Sequence, residues 1–189
     1  MGKTIKIHIL GASGSGVTTL GKNLSQHYQI PFFDADDYYW KKTNPPYQEA
    51  NTVESRKYLL TNALGNNPSW IISGSMASWG DFIQDDFSCV IYLYVPQEER
   101  IQRIKRREKE SFGTRIEIGG DMYEAHSKFI EWAKQYDDGH LSGRSKPRHE
   151  TWIGTLKCPL IRIEGIFNES ELLNKAIYRI NELGIIKAQ

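Results

Sequence analysis

The stretch from Gly11 to Thr19, Gly-Ala-Ser-Gly-Ser-Gly-Val-Thr-Thr, limits what this chain can fold into more than any other. It follows an apolar run, Ile5 to Leu10, and opens a segment in which Leu20 and Leu24 lie four apart. A strand that enters a glycine-rich turn and opens a helix is the setting in which the spacing G-x-x-x-x-G-K-[ST] cradles phosphate. Glycines permit positive φ and close ligand approach. Successive N–H groups then converge on phosphate oxygens, and the helix adds its free N-terminal donors and the positive end of its dipole. Gly11, Ser13, Gly14, Ser15, Gly16, Val17, Thr18 and Thr19 are therefore the expected nucleotide-binding residues. The Thr18 hydroxyl is expected on a Mg²⁺ ion held by the β- and γ-phosphates. The lysine of the motif is missing, and Val17 stands at its only charged position. An ordinary Gly/Ser turn is the alternative; the place of the stretch at the first strand-to-helix junction favours the phosphate site.

At 189 residues the chain is most simply one domain, 1–189, with a sizeable core. A net charge of +1 gives no global pull toward nucleic acid or a membrane surface. No apolar run approaches membrane-spanning length. The opening Met1-Gly2-Lys3-Thr4-Ile5-Lys6 lacks the features of a secretory signal, so a cytoplasmic location is expected. Cys89 and Cys158 fall in or beside strand-like runs and read as buried free thiols rather than a disulfide or metal site.

Strand-like runs at Ile5–Leu10, Ile30–Phe33, Trp70–Ser73, Val90–Val95 and Leu160–Ile163 alternate with helix-like runs. The helix-like runs are Val17–Tyr28, Thr52–Leu64, Gln97–Glu110, Asp121–Tyr136 and Ser170–Leu183. This alternation implies parallel βαβ units and a layered α/β fold. Ligands in such sheets bind beyond the carboxyl ends of the strands. Three segments interrupt the pattern: 34–51, 111–120 and 137–146. Long irregular connections in an α/β domain are often lids or binding loops.

Asp34, Asp36 and Asp37 end the second strand-like run. On extended backbone, Asp34 and Asp36 would share one side, placed to hold Mg²⁺ through water and to accept a proton from an attacking hydroxyl. A solvated acidic turn is the alternative. Ser73, Gly74 and Ser75 end the third strand, where phosphate-loop proteins often carry an Asp that supports Mg²⁺. Arg100, Arg103, Arg106, Arg107 and Arg115 gather around the fourth crossover, and Arg103 and Arg107 share a helical face. Glu98, Glu99, Glu108 and Glu110 interleave with them, a pattern that by charge alone reads as a solvated helix. Arg144, Lys146 and Arg148 form a later basic group.

Taken together these motifs resemble the nucleoside-monophosphate-kinase-like branch of P-loop kinases, of which adenylate and shikimate kinases are members. The resemblance implies a three-layer fold, a parallel five-stranded sheet and a helical lid, here 111–148. Arg103-Ile-Lys-Arg-Arg107 is similar to the R-I-x-x-R of adenylate kinases, which implies Arg103 near the base and Arg107 near the phosphates. Asp34-Ala-Asp36 is similar to the Asp-x-Asp of shikimate kinases, and Asp36-Asp-Tyr-Tyr39 to the motif of uridine and nicotinamide-riboside kinases, whose first Asp is the base. The resemblance implies an ATP-dependent kinase acting on a small molecule, with a nucleoside or nucleotide as the expected acceptor. Asp36, Arg107 and Arg115 are its expected catalytic residues. Thr18 and Asp34 are its expected Mg²⁺ ligands, and Asp34, Gly74, Ser75, Arg144 and Arg148 its expected acceptor contacts. No nucleic-acid polymer or membrane is expected as partner. Two departures stand out: the loop lysine, and the arginine that adenylate kinases place after strand three. Lys41, Lys42 or Arg56 would have to supply the second cation; Arg107, then Arg115, Arg144 or Arg148, the first. A nucleotide-binding protein with little turnover is the rival reading, and a hydrolytic ATPase the third.

Overall fold

The computed structural model describes residues 4–139 and 144–186. Period-2 alternation builds its sheet. Ile7 and Ile9 point to one face of β1 (Lys6–Gly11), while His8 and Leu10 point to the other, and all four are buried. Strands buried on both faces need cover on both faces, which parallel crossovers provide. The remaining strands are β2 (Phe32–Asp34), β3 (Trp70–Ser73), β4 (Cys89–Tyr94) and β5 (Leu160–Glu164). They form one parallel sheet in the order β2-β3-β1-β4-β5.

On one face lie α1 (Val17–Tyr28) and α7 (Glu169–Glu182), which bury Leu20, Leu24, Leu172, Ala176 and Ile180 against Ile7, Ile9, Ile91 and Ile161. Asn168 and Glu171 close a reciprocal capping box at the start of α7. On the other face, α3 (Val53–Leu64) and α6 (Lys146–Ile153) cover Leu10, Trp70, Ile72, Val90 and Tyr92 with Leu60, Leu64, Trp152 and Ile153. Thr52 caps α3 by accepting from the Ser55 N–H at 3.2 Å. A third cluster, Ile101, Ile104, Ile130 and Ala133, stands apart and joins α4 (Gln97–Phe112) to α5 (Tyr123–Lys134).

Several local expectations are corrected. The backbone after β2 is helical, not extended: Ala35 is in the right-handed region and a short α2 spans Asp36–Tyr39. Helix α4 runs two residues past Glu110 to Phe112, and Gly113–Ile116 continues as a 3-10 turn, so residues 111–116 of that connection are helical rather than irregular. Segment 137–146 ends in α6, which the sequence pattern does not announce; its residues 140–143, also part of the expected lid, lie outside the described residues. Arg100 is not solvated. It is fully buried, and it donates to the carbonyls of Val95 at 2.8 Å and Ala133 at 3.4 Å and pairs with Asp137. Cys89 is buried and Cys158 half-buried, both as free thiols. No helix among the described residues is long and apolar enough to cross a membrane.

Candidate active site

Parallel register brings the chemistry to one edge. Gly11 pairs with Leu93, Ile9 with Ser73, and Asp34 with Ser73. The glycine-rich loop, the acidic segment and the β3 exit therefore meet beyond the carboxyl ends of the strands.

The loop is shaped by close backbone approach. A Cβ on Gly14, whose φ is 80°, would lie 2.5 Å from the Arg100 carbonyl oxygen. Gly16, at φ 93°, caps α1 in the left-handed region, so the first N–H groups of the helix point outward without intrahelical partners. Ser15 is buried and turns inward, its hydroxyl donating to the Ala12 carbonyl at 2.7 Å; it closes the loop and leaves the concave side to backbone. Val17 packs partly against the core under α1, so its side chain is apolar filler where a cation stands in the full motif. Thr19 is half-buried in the first turn of α1. Beside the loop, Ser15, Leu93, Val95, Arg103, Gly165 and Phe167 line a small recess. Arg103 is held there by Glu99 at 2.7 Å and by the Phe167 carbonyl at 3.4 Å.

Thr18 Oγ1 donates to Asp34 Oδ2 at 3.0 Å, and Asp34 Oδ1 accepts the N–H of Asp36 at 3.1 Å. Burial, and then the charge of Asp36, raise the Asp34 carboxyl above the usual carboxylate range. A cation would relieve both effects. Hydroxyl and carboxylate oxygens suit Mg²⁺, which keeps several waters and phosphate oxygens in its shell. No group of three His, Cys, Asp or Glu side chains among the described residues could hold a metal by itself. The pair Thr18 and Asp34 thus fits Mg²⁺ as a partner of bound phosphate, not as a free-standing metal site.

Arg144 crosses this cleft. One guanidinium nitrogen donates to Ser13 Oγ at 3.3 Å and the other to Asp36 Oδ1 at 3.2 Å. A single cation spans the phosphate loop and the acidic segment. At the β3 exit, Gly74 has φ 106°, and a Cβ there would sit 3.0 Å from the Ala35 Cβ and 3.6 Å from Asp34 Oδ1. Ser75 is next in the chain, its hydroxyl 2.8 Å from His149 of α6. Arg56 of α3 is only 8% exposed, stacks 3.6 Å over the Tyr39 ring, and has a buried Nε without a hydrogen-bond partner. Its guanidinium has no anionic partner among the described residues.

The structure brings together Ser13, Gly14, Gly16, Thr18, Asp34, Asp36, Gly74, Ser75 and Arg144. Arg107 lies at the rim, more than half exposed and 3.5 Å from Glu108. Its charge opposes the rise that burial, and then the charge of Asp36, impose on the Tyr47 phenol. Arg115 is turned outward and forms a two-pronged pair with Asp121 at 3.0 and 2.7 Å. Arg148 is exposed on α6. His149, which the basic group Arg144, Lys146 and Arg148 does not include, is hidden in the sequence between Arg148 and Glu150. The signal that could have found it is the spacing of His149, Trp152 and Ile153, which puts all three on one buried face.

Residues 7–125 match the AAA domain family. The uncharacterized protein YqaC of Bacillus subtilis (strain 168) is 36% identical over 171 residues, covering 90% of this chain and 94% of the relative. Among solved structures, shikimate kinase from Acinetobacter baumannii, in complex with shikimate, superposes with a TM-score of 0.54 at 17% identity over 98% of this chain and 96% of its own. A gluconokinase from Sinorhizobium meliloti 1021 gives 0.51 at 12% identity over 97% and 95%. Shikimate kinase from Aquifex aeolicus gives 0.55 at 14% identity over 96% and 99%. At these identities the likeness is one of fold. With its glycine-rich loop, strand order and family match agreeing, the chain belongs to the AAA domain family of P-loop proteins, built on the nucleoside-monophosphate-kinase-like fold.

Proposed function

We propose that the protein is an ATP-dependent phosphotransferase that moves the γ-phosphoryl group to a hydroxyl of a small molecule, with a nucleoside or nucleotide as the leading acceptor. The observation that carries this reading is Arg144, bonded at once to the phosphate loop through Ser13 and to the candidate base Asp36. A phosphoryl group travelling from the loop to a hydroxyl on Asp36 would pass under that guanidinium. Transfer of this kind depends on positioning and on charge aimed at the moving group.

In this account the loop amides from Ser13 to Thr19 hold the triphosphate, and Arg103 borders the recess for the base. Thr18 and Asp34 would hold Mg²⁺, which would supply positive charge against the phosphates. Asp36 takes the proton of the acceptor hydroxyl as its oxygen bonds to the γ-phosphorus. The bond from that phosphorus to the bridging oxygen breaks, and ADP leaves. ATP phosphate draws Arg144 off Asp36 and so frees the carboxylate to act as base. Arg56, a buried cation without an anionic partner, faces an anionic group of the acceptor. Arg107 at the rim supplies further positive charge.

Single-turnover transfer from γ-labelled ATP across a panel of nucleosides, nucleotides and polyols tests the reading. Label should appear on at least one acceptor, and Asp36→Asn should slow that transfer by roughly 10²-fold or more with ATP affinity within a few fold. Saturable ATP binding with no labelled product from any acceptor would favour a nucleotide-binding protein without turnover, a reading that Val17 supports.

A further inference from the structure

A buried chain of hydrogen bonds leaves the acceptor side of the cleft and belongs to none of the steps above. Ser75 Oγ lies 2.8 Å from His149 Nε2, His149 Nδ1 lies 2.9 Å from the Tyr136 hydroxyl, and that hydroxyl lies 3.0 Å from the Tyr92 hydroxyl. His149 is fully buried, Tyr92 and Tyr136 nearly so. Ser75 is half-buried and forms the cleft end of the chain.

Each hydroxyl carries one hydrogen, and a neutral imidazole carries one more. The chain therefore has two polarities. In one, Ser75 donates to His149, His149 donates from Nδ1 to Tyr136, and Tyr136 donates to Tyr92. The Tyr92 hydrogen is then stranded inside the protein, because among the described residues Tyr136 is the sole hydrogen-bond partner of the Tyr92 hydroxyl. In the other, Tyr92 donates to Tyr136, Tyr136 to Nδ1, and Nε2–H to Ser75. Every buried hydrogen is then used, and the one left over belongs to Ser75 at the cleft. Leaving a buried donor unsatisfied is the costlier choice, so the second polarity wins.

Resting on the phosphotransferase reading, we propose that Ser75 is a fixed hydrogen-bond donor to the acceptor molecule and that His149 is the positioning residue that makes it one. The acceptor then carries an oxygen that can only accept, such as a carbonyl, carboxylate, ether or phosphate oxygen, beside the hydroxyl that Asp36 deprotonates. His149 stays neutral. Burial first, then the charge of Arg144 and the neighbouring His8, push its imidazole down to about 3. The other groups facing it are the Tyr136 and Tyr92 rings, both edge-on.

Long-range proton–nitrogen NMR on protein labelled at its histidines reads the tautomer directly, with His149→Gln assigning the signal. The expected result is a single Nε2–H tautomer whose shifts do not move between pH 5 and pH 8, retained in Tyr136→Phe, where an Nδ1–H would have no acceptor. An Nδ1–H tautomer, or an imidazole that titrates within that range, overturns the proposal. The measurement needs no turnover, so it stands apart from the transfer assay: absence of transfer would remove the phosphotransferase reading and leave the polarity decided. With an accepted substrate, Ser75→Ala should raise its KM about tenfold, the worth of one hydrogen bond, with the ATP KM unchanged and Ser75→Thr near wild type. An unchanged acceptor KM in Ser75→Ala also overturns it.

Discussion

Val17 and Arg144 are best understood as a pair. Valine at the lysine position leaves the loop with backbone donors and no cation, and Arg144 reaches back from the other side of the cleft to Ser13. The glycine spacing made the loop legible in the sequence, because φ at Gly14 and Gly16 and the contact with the Arg100 carbonyl demand glycine there. Which cation would stand in for the missing charge was less legible, and Arg144 ranked behind Arg107 among the candidates. Arg144 lies 131 residues from Ser13 in the chain, and only the docking of α6 brings it back. Arg107 had the better sequence pattern, but in the fold its helix carries it to the rim. Arg100 was misread for a related reason. Alternating Arg and Glu read as a solvated surface, yet Arg100, Ile101, Ile104 and Glu108 form one buried face, a spacing that the charge pattern obscured.

At the scale of elements, α4 depends on Arg100. Its guanidinium joins the β4 exit through Val95, the end of α5 through Ala133, and Asp137 beyond it. Arg100→Met removes the charge but keeps the volume and leaves Asp137 and two carbonyls without their donor. The expected loss is about 3–5 kcal/mol, read as a lower denaturant midpoint at unchanged m value; an unchanged midpoint would mean that the buried pair is not structural. Gly113–Ile116 and α5, the latter sharing a small core with α4, belong to the lid we propose, 111–148. For Arg115 to face phosphate it must leave Asp121, an exposed pair and so weakly held. Amides of 111–120 should therefore exchange fast in the free protein and slow when a bisubstrate analogue binds. Equal protection in both states would show that the segment does not close. The short α2 was invisible in sequence because Asp36–Tyr39 is too brief to show a period, and α6 because its Pro147 comes directly after a Gly/Ser-rich run.

The whole molecule responds to pH through two histidines. Burial holds His8 down to about 4 and His149 to about 3, against 6.5 for an ordinary imidazole. Below about pH 6.5 the unfolded chain takes up protons that the folded chain refuses, so stability is full above that value and falls as pH drops. At pH 5 the two together cost about 4 kcal/mol relative to pH 8, and Asp34, whose raised carboxyl works in the opposite direction, returns part of it. Thermal unfolding should show a Tm lower by on the order of 10 °C at pH 5 than at pH 8, and a smaller drop in His8→Leu. A Tm that is flat across this range would contradict the buried neutral histidines. The layered sheet itself was legible throughout, since apolar strand-like runs alternating with helix-like runs allow few other solutions. What sequence could not supply was the cross-cleft geometry on which the proposed function rests.

That geometry is tested most directly by single-turnover transfer in Arg144→Ala and in the double variant with Val17→Lys. A charge aimed at the moving phosphoryl group is worth roughly 10²–10³-fold in rate. Arg144→Ala should lose that factor while binding ATP within a few fold of wild type, and Val17→Lys in the same protein should restore part of it. Wild-type transfer in folded Arg144→Ala would contradict the account.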